Sequence, residues 1–423
     1  MMTSAQQSTG RLRGWLHARR QMKGFSFLII RNRHGLTQVV ASDPLCSPIA
    51  DCHLETVLEI EGEWVAQKRG PDELHASKIH VISRVEEPPP VALNHPALDV
   101  TLPVLLDEAA LTLRHPQRRA LFELHGIVTA AFRDHLRAQE FVEIHTPKLV
   151  SGATEGGANV FEVQYFEQTA FLAQSPQFYK QTMVGVFERV FEIGPVFRAE
   201  PHATVRHLAQ YTSMDVELGF IESHRDVMGV AEGVLRAIFG AISASPAAEI
   251  LGITAPELPS EIPILEFHEA HEVAAERLNS RVHIGEPDLA PEEERVIGQW
   301  GLEQGSALVF VEGYPLMKRP FYTHPGTGNL SSEASNSFDV LFHGLELITG
   351  GQRLHHHGAY LDALRSRGLE PDSFESYLHV FKYGMPPHGG FAIGLERLLM
   401  QLLGLQNIRE TTLFPRDRNR LTP

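Results

Sequence analysis

Only two cysteines occur in the 423 residues, Cys46 and Cys52. They make neither a disulfide framework nor a CxxC motif, and they read as buried small residues rather than ligands. A reducing, soluble compartment follows, most simply the cytoplasm. No apolar run approaches the roughly 20 residues that cross a bilayer. The polar stretch Met1–Gly10 lacks the apolar core of a signal peptide. Membrane-spanning proteins and secreted disulfide scaffolds are thereby excluded. Neither a GxxxxGK[ST] loop nor a GxGxxG turn is present, so any nucleotide is held by another route.

The charge balance is acidic, -15 in total, which by itself speaks against a nucleic-acid partner. Its distribution does not. Residues 1–42 hold seven Lys or Arg and no Asp or Glu; residues 1–84 are net +3 and the remainder is -18. A basic N-terminal surface on an acidic body is compatible with phosphate binding, and equally with a solvated charged face.

Short strand-like runs fill the first 84 residues: Arg11–His17, Phe25–Arg33, Leu36–Ser42, Thr56–Gln67 and Lys78–Val85, with His34-Gly35 as a hairpin turn. Five strands in this length suit an OB-fold barrel over 1–88. Pro88-Pro89-Pro90 cannot continue a ladder or a helix, so 89–114 reads as a linker. From His115 to the end, helical spacing (Leu121, Leu124, Ile127, Val128, Ala131, Phe132) is followed by strand-like runs at Val190–Ile193, Thr212–Phe220 and Phe338–Ile348. Helices are expected at Val227–Ile242 and Arg397–Leu403. Residues 240–300, with weak period, read as a peripheral excursion. The expected class is α+β: a barrel followed by a domain built on an antiparallel sheet flanked by helices.

Three segments stand out. Phe141 to Leu149 (FVEIHTPKL) closes the helical stretch. Phe197-Arg198-Ala199-Glu200 leads through a loop to Arg206-His207-Leu208 and Tyr211–Glu217. Gly389 to Arg397 reads GGFAIGLER. Arginines beside glycine-rich backbone suit a site where two anions react, because guanidinium stays charged and grips phosphate with paired donors. Alone, each arginine is more often a surface ion pair. In this order, covering most of 115–423, the segments resemble motifs 1, 2 and 3 of the class II aminoacyl-tRNA synthetases. That resemblance implies ATP as substrate. It assigns Arg198 to the α-phosphate and the reacting carboxylate, Arg397 to the γ-phosphate and one adenine face, and Tyr211 to the other face. Glu200 would accept from the adenine amino group and His207 would lie by the phosphates, with Arg206, Leu208 and Gly394 lining the nucleotide. Arg198, Glu200, His207 and Arg397 form the catalytic set. Asp339 and Glu346, seven apart, match positions that hold Mg²⁺, with the Thr349 hydroxyl beside them; two carboxylates plus phosphates and waters is a usual Mg²⁺ environment.

Gln174 to Gln181 (QSPQFYKQ) and Gly350 to His355 (GGQRLH) resemble the aspartyl subgroup. The resemblance places Lys180 and Arg353 on the substrate's side-chain carboxylate, Asp215 with Gln177 on its α-ammonium, and Glu155 on a glycine-hinged closing loop. Thr349 completes the set. Two cations for one carboxylate make sense, since asparagine has the same shape and only charge separates the two. Gln210 departs from the family, where glutamate is usual. The segment around Phe25–Gln38 resembles the subgroup's anticodon-binding OB-fold, with Phe27 as the base-stacking aromatic and Gln38 as a base-edge reader. Phe25, Phe27 and Ile29 would otherwise be the barrel's inner face. The whole chain, to Pro423, is similar to the short archaeal type. The family expectation is therefore an aspartate ligase for tRNA(Asp), extending to tRNA(Asn), acting as a homodimer through motif 1 and Pro147. An asparaginyl enzyme, a tRNA-independent amide-forming relative and a non-catalytic binder are the rivals; the last would have lost Arg198, Glu346 or Arg397. His355-His356-His357 invites a metal reading, but neighbours on a strand point apart, so at most two converge.

Overall fold

The computed structural model describes residues 9–152, 159–201 and 204–423. The chain forms two compact units, Met1–Arg119 and Ala120–Pro423.

In the first unit, β1 (Thr9–Gln21), β2 (Phe25–Asn32), β3 (Gly35–Ser42), β4 (Val57–Val65) and β5 (Glu73–Ser83) close into a barrel in the order β1-β2-β3-β5-β4. Asn32 pairs with Gly35, so the β2–β3 turn is Arg33-His34; Gly35, at φ +114, opens β3 where a side chain would be strained. Alternation sorts β2 cleanly. Ser26, Leu28 and Ile30 point inward, whereas Phe25, Phe27 and Ile29 are half-exposed on the outer face. The inner-face alternative for Phe27 is thus overturned, because Leu28 and Ile30 fill the barrel. Cys46 and Cys52 are half-buried, not buried, and pack against this core as free thiols. Residues 89–114 are more than a spacer: they carry α1 (Leu102–Asp107) and α2 (Ala109–Thr112) and bury Val91, Leu93, Leu105 and Leu106. The buried Glu55, at φ +72, accepts from both Arg31 Nη atoms at 2.7 and 2.6 Å and from Arg114 at 3.2 Å. Ion pairing therefore accompanies an unfavourable backbone conformation there.

Helix α3 (Pro116–Ala138) leads into the second unit and presents Leu124, Val128, Phe132 and Leu136 to the core, where Phe132 meets Phe191 edge-on. There follow β6 (Val142–Glu143), a small sheet of β7 (Leu149–Val150), β8 (Glu162–Tyr165) and β9 (Gln168–Leu172), then α4 (Gln177–Phe187), β10 (Arg189–Phe197), β11 (Gln210–Gly219), α5 (His224–Ser243) and α6 (Pro246–Leu251). The remainder comprises β12 (Ile264–Glu266), α7 (Phe267–Leu278), α8 (Pro291–Glu303), β13 (Leu308–Glu312), β14 (Ser337–Phe342), β15 (Leu345–Arg353), α9 (His357–Ser366), α10 (Glu375–Leu378), β16 (His388–Gly394) and α11 (Leu395–Leu402). The main sheet runs β12-β13-β14-β15-β16-β11-β10-β6. Its centre is antiparallel, as expected from the family, but both edge pairs are parallel, so the sheet is mixed.

Two expectations change. Phe338–Ile348 is two strands, not one, because His343 (φ +48) and Gly344 (φ +76) turn the chain between β14 and β15. The 240–300 segment contributes the β12 edge strand, and its Ala247, Ala248, Ala255 and Ile262 belong to the main core. Among the described residues no helix is long and apolar enough to cross a membrane.

Candidate active site

The period of two along the central strands gives the sheet two unlike faces. On β11, Met214, Val216 and Leu218 enter the core under α5, while Tyr211, Ser213, Asp215 and Glu217 face the other way. Register then assembles the neighbours. Ser213, Asp215 and Glu217 lie opposite Gly394, Ala392 and Gly390 of β16, and Ala392 lies opposite Thr349 of β15, which faces Asp339 of β14. Thr349 and Arg353 share a face by alternation. Glu346 joins them because a bulge between Val340 and Leu341 of β14 shifts the register of β15. Small residues on β16 leave open space above the middle of this face.

Two adjoining cavities occupy that space, of about 290 and 260 Å³, sharing Arg198, Tyr211, Ser213, Glu346, Thr349 and Ala392. Arg198, Glu200, Arg206, His207, Leu208, Tyr211, Glu346, Gly394 and Arg397 all line the first. The Arg198 guanidinium carbon lies 5.7 Å from the Tyr211 ring centre, His207 Nε2 is 3.1 Å from Glu200, and Arg397 Nη1 donates to the Glu346 carboxylate at 3.1 Å. Gln177, Lys180, Asp215, Thr349 and Arg353 all line the second. Glu155 lies outside the described residues.

The second cavity is organised by buried charges. Lys180 Nζ donates to Asp215 at 2.9 Å and lies 3.4 Å from Glu217; Arg353 Nε donates to Glu217 at 3.0 Å. Burial alone would raise the Glu217 carboxyl, but Arg353 and then Lys180 outweigh it and hold Glu217 below its ordinary value. Both cations expected to face a ligand are thus already held by acids of β11. Gly390 makes this possible: a Cβ there would stand 2.2 Å from the Glu217 carboxylate and 2.1 Å from the Val216 carbonyl oxygen.

Asp339 differs from the rest by lining neither cavity. Its Oδ2 accepts from Arg319 at 2.8 Å, and its Oδ1 is buried with no hydrogen-bond partner. Burial raises the carboxyl to about 6, with Arg319 opposing and Glu346 assisting. Glu294 of α8 is raised to about 7 by burial and then by Glu346. A carboxyl that burial and a neighbouring acid hold back from ionising, with one oxygen unpartnered, fits a place for a divalent cation beside phosphate oxygens. No group of three or more His, Cys, Asp or Glu among the described residues forms a metal cage of protein ligands alone. That applies to His355-His356-His357 too; His357 already begins α9, and burial with the neighbouring histidines lowers His355 to about 4.

Phe27 and Gln38 belong to the first unit and lie on the outer barrel face. Phe25 packs edge-on to Phe27 at 5.2 Å, and Gln38 Nε2 donates to Glu73 at 2.6 Å. Arg11 and Arg13 of the basic N-terminus pair with Glu59, and Arg31 is buried on Glu55, so part of that charge is internally neutralised.

Sequence reasoning missed Glu217, Ser213, Glu396, Glu294, Tyr314 and Arg319. Glu217 was legible as the next outward position after Asp215. Arg319 and Glu294 carried no signal, being brought in from segments outside the three motifs.

The family model for class II tRNA synthetases (D, K and N) matches residues 102–418, and that for the OB-fold nucleic acid binding domain matches 11–82. The chain is 45% identical to the aspartate--tRNA(Asp/Asn) ligase of Deinococcus radiodurans, across 98% of this chain and 96% of that one. It is 38% identical to the aspartate--tRNA(Asp) ligase of Pyrococcus abyssi, across 97% and 95%. The asparaginyl-tRNA synthetase of Pyrococcus horikoshii, solved with asparaginyl-adenylate, superposes with a TM-score of 0.90 at 29% identity, covering 99% of this chain and 96% of that one.

Glu396 lines the first cavity and accepts the Thr212 backbone N–H on both oxygens at 3.0 Å; burial lifts its carboxyl from 4.5 to about 7. A carboxyl raised by folding contributes stability below its unfolded value that is lost as pH rises through the folded one. Relative to Glu396→Gln, the native protein should therefore lose on the order of 3 kcal/mol across that window. Urea unfolding of both proteins over that range checks it; parallel pH profiles would remove Glu396 as the titrating group.

Proposed function

Because the chain belongs to the class II tRNA synthetases of the D, K and N group, we propose that it activates aspartate with ATP and loads the aspartyl group onto tRNA. One observation carries this reading. The second cavity, lined by Lys180, Asp215 and Arg353 of the buried ion network, shares Arg198, Tyr211 and Glu346 with the first, which Arg397 lines.

The chemistry follows from charge. The α-carboxylate oxygen of aspartate attacks the α-phosphorus of ATP, the bond to the bridging oxygen breaks, and pyrophosphate leaves. Both reactants are anions, so fixed cations must offset the charge that collects on phosphorus. Arg198, common to the two cavities, can hold the attacking carboxylate and the α-phosphate together. Arg397, which lines the first cavity and not the second, takes the terminal phosphate. Tyr211 offers an aromatic face to adenine, with Glu200, Arg206, His207 and Leu208 around the nucleotide. Asp339 and Glu346 would hold magnesium, which when bound supplies positive charge beside the phosphates. The 3′-terminal ribose hydroxyl of tRNA then attacks the acyl carbon, and AMP leaves.

Selectivity rests on Arg353 and Lys180. The network is neutral as it stands, two cations against two acids, and an aspartate side chain brings a carboxylate to the cations while its ammonium meets Asp215. Asparagine brings no such charge and leaves the cations less well solvated. This separates the reading from the asparaginyl one suggested by the Pyrococcus horikoshii structure. Arg353→Leu should lower aspartate-dependent ATP–pyrophosphate exchange at least about a hundredfold, since removing one partner of a buried ion pair costs roughly 3–5 kcal/mol. Near-native exchange in that variant would remove Arg353 from the aspartate site.

The tRNA is read by the outer barrel face, with Phe27 stacking on an anticodon base and Gln38 on a base edge. The tRNA(Asp) and tRNA(Asn) anticodons differ in one base. Ile29 stands near the place where an additional aromatic would tighten that distinction, so we extend the substrate to both tRNAs. Charging purified tRNA(Asn) with labelled aspartate tests this. Efficiency more than about a hundredfold below that for tRNA(Asp), roughly 2.7 kcal/mol, would mark a discriminating enzyme.

A cytoplasmic homodimer through motif 1 completes the proposal. Edge strand β6 exposes Val142 opposite Val190, and Val186, Phe187 and Phe220 are exposed at the same end of β10. Self-complementary association would cover this apolar end. Sedimentation equilibrium should return the mass of two 47.1 kDa chains; a monomer at micromolar concentration would contradict it.

A further inference from the structure

Arg319 follows the short 3-10 turn Leu316–Lys318, outside the three segments that resemble motifs 1, 2 and 3. It lines the second cavity and pairs with Asp339, which does not line it. The group is fixed on two sides. Nη2 donates to Asp339 Oδ2 at 2.8 Å, and the guanidinium carbon lies 3.9 Å from the centre of the Tyr314 ring. Tyr314 is 2% exposed, and its hydroxyl helps to lower the Asp339 carboxyl against the effect of burial. The other oxygen of that carboxylate, Oδ1, is buried without a hydrogen-bond partner.

We propose that Arg319 is the positioning residue of the metal pair: by occupying Oδ2 it makes Asp339 a single-oxygen ligand, presented through Oδ1. The proposal rests on the reading of Asp339 and Glu346 as the magnesium ligands. A carboxylate with both oxygens free can chelate a large cation such as Ca²⁺. Mg²⁺ demands short bonds in near-octahedral geometry and is served by one oxygen each from one or two carboxylates. Arginine suits the task because a planar guanidinium can lie on an aromatic face while its edge donates to the acid. A neutral residue at 319 would leave Asp339 buried beside Glu346 without a counter-charge and free to rotate.

Manganese, a paramagnetic substitute for magnesium, reads this directly. The electron-spin signal of free Mn²⁺, titrated with the full-length protein and corrected for a protein-free titration at the same ATP concentration, gives the affinity for the ion independently of turnover. Arg319→Met should weaken Mn²⁺ binding about tenfold or more, the usual effect of losing a partner that orients a metal ligand. Arg319→Lys should recover part of that loss, and Tyr314→Phe should shift affinity in the same direction by less. Asp339→Asn is measured in parallel. Native affinity in Arg319→Met with weakened affinity in Asp339→Asn overturns the role of Arg319 and leaves the metal pair standing. Native affinity in Asp339→Asn overturns the metal pair, and this proposal with it. Should circular dichroism show Arg319→Met unfolded, Arg319→Lys and Tyr314→Phe decide: native affinity in both overturns the proposal.

Discussion

Two cations and two acids buried at the centre of one sheet face set the terms for the rest of the catalytic unit. Lys180, Asp215, Glu217 and Arg353 come from three elements, α4, β11 and β15, and each charge is satisfied only while the other elements stay in register. Removing one partner strands a charge in a dry interior, which costs far more than a surface pair could return. Space for the network depends in turn on an absence, since any side chain at Gly390 would enter the Glu217 carboxylate. The pocket is consequently preorganised before any substrate arrives, and substrate charge needs little rearrangement to be met.

The same strands build stability and chemistry by alternation. Met214, Val216, Phe391, Ile393, Ile348, Phe338 and Val340 pack beneath the sheet, and the residues between them form the site above it. A rigid core one residue away from every functional group explains how side chains distant in sequence stay aligned across two adjoining cavities. The bulge beside Leu341 is the one local departure, and it turns Glu346 toward Thr349 and Arg397. On the excursion side, α8 brings Glu294 to the same cluster of acids, so a segment without motif character still shapes the electrostatics of the site.

The barrel follows a simpler logic. Leu28 and Ile30 fill it, which leaves Phe25, Phe27 and Ile29 as an aromatic and aliphatic outer surface. Its basic character is smaller than the residue count suggests, because Arg11, Arg13 and Arg31 answer acids on the barrel itself. Charge counted along a chain overstates the field at its surface wherever strands place opposite charges side by side.

Local and motif-level features were legible in the sequence alone. The five barrel strands and the helix before motif 1 follow from spacing, because period and turn chemistry act over a few residues. Arg198, Tyr211, Glu346 and Arg397 of the first cavity and Lys180, Asp215 and Arg353 of the second were named from motif resemblance, since each motif travels with its own element. Tertiary structure decided the remainder. Lys180 and Arg353 meet protein acids first, Phe338–Ile348 folds back on itself at a left-handed His343-Gly344 turn, and residues 240–300 supply a sheet edge. Arg319 and Glu294 reach the site from segments that show no pattern of their own. Each of these depends on which strand lies beside which, and pairing between residues far apart in sequence leaves no periodic trace in the segments it joins.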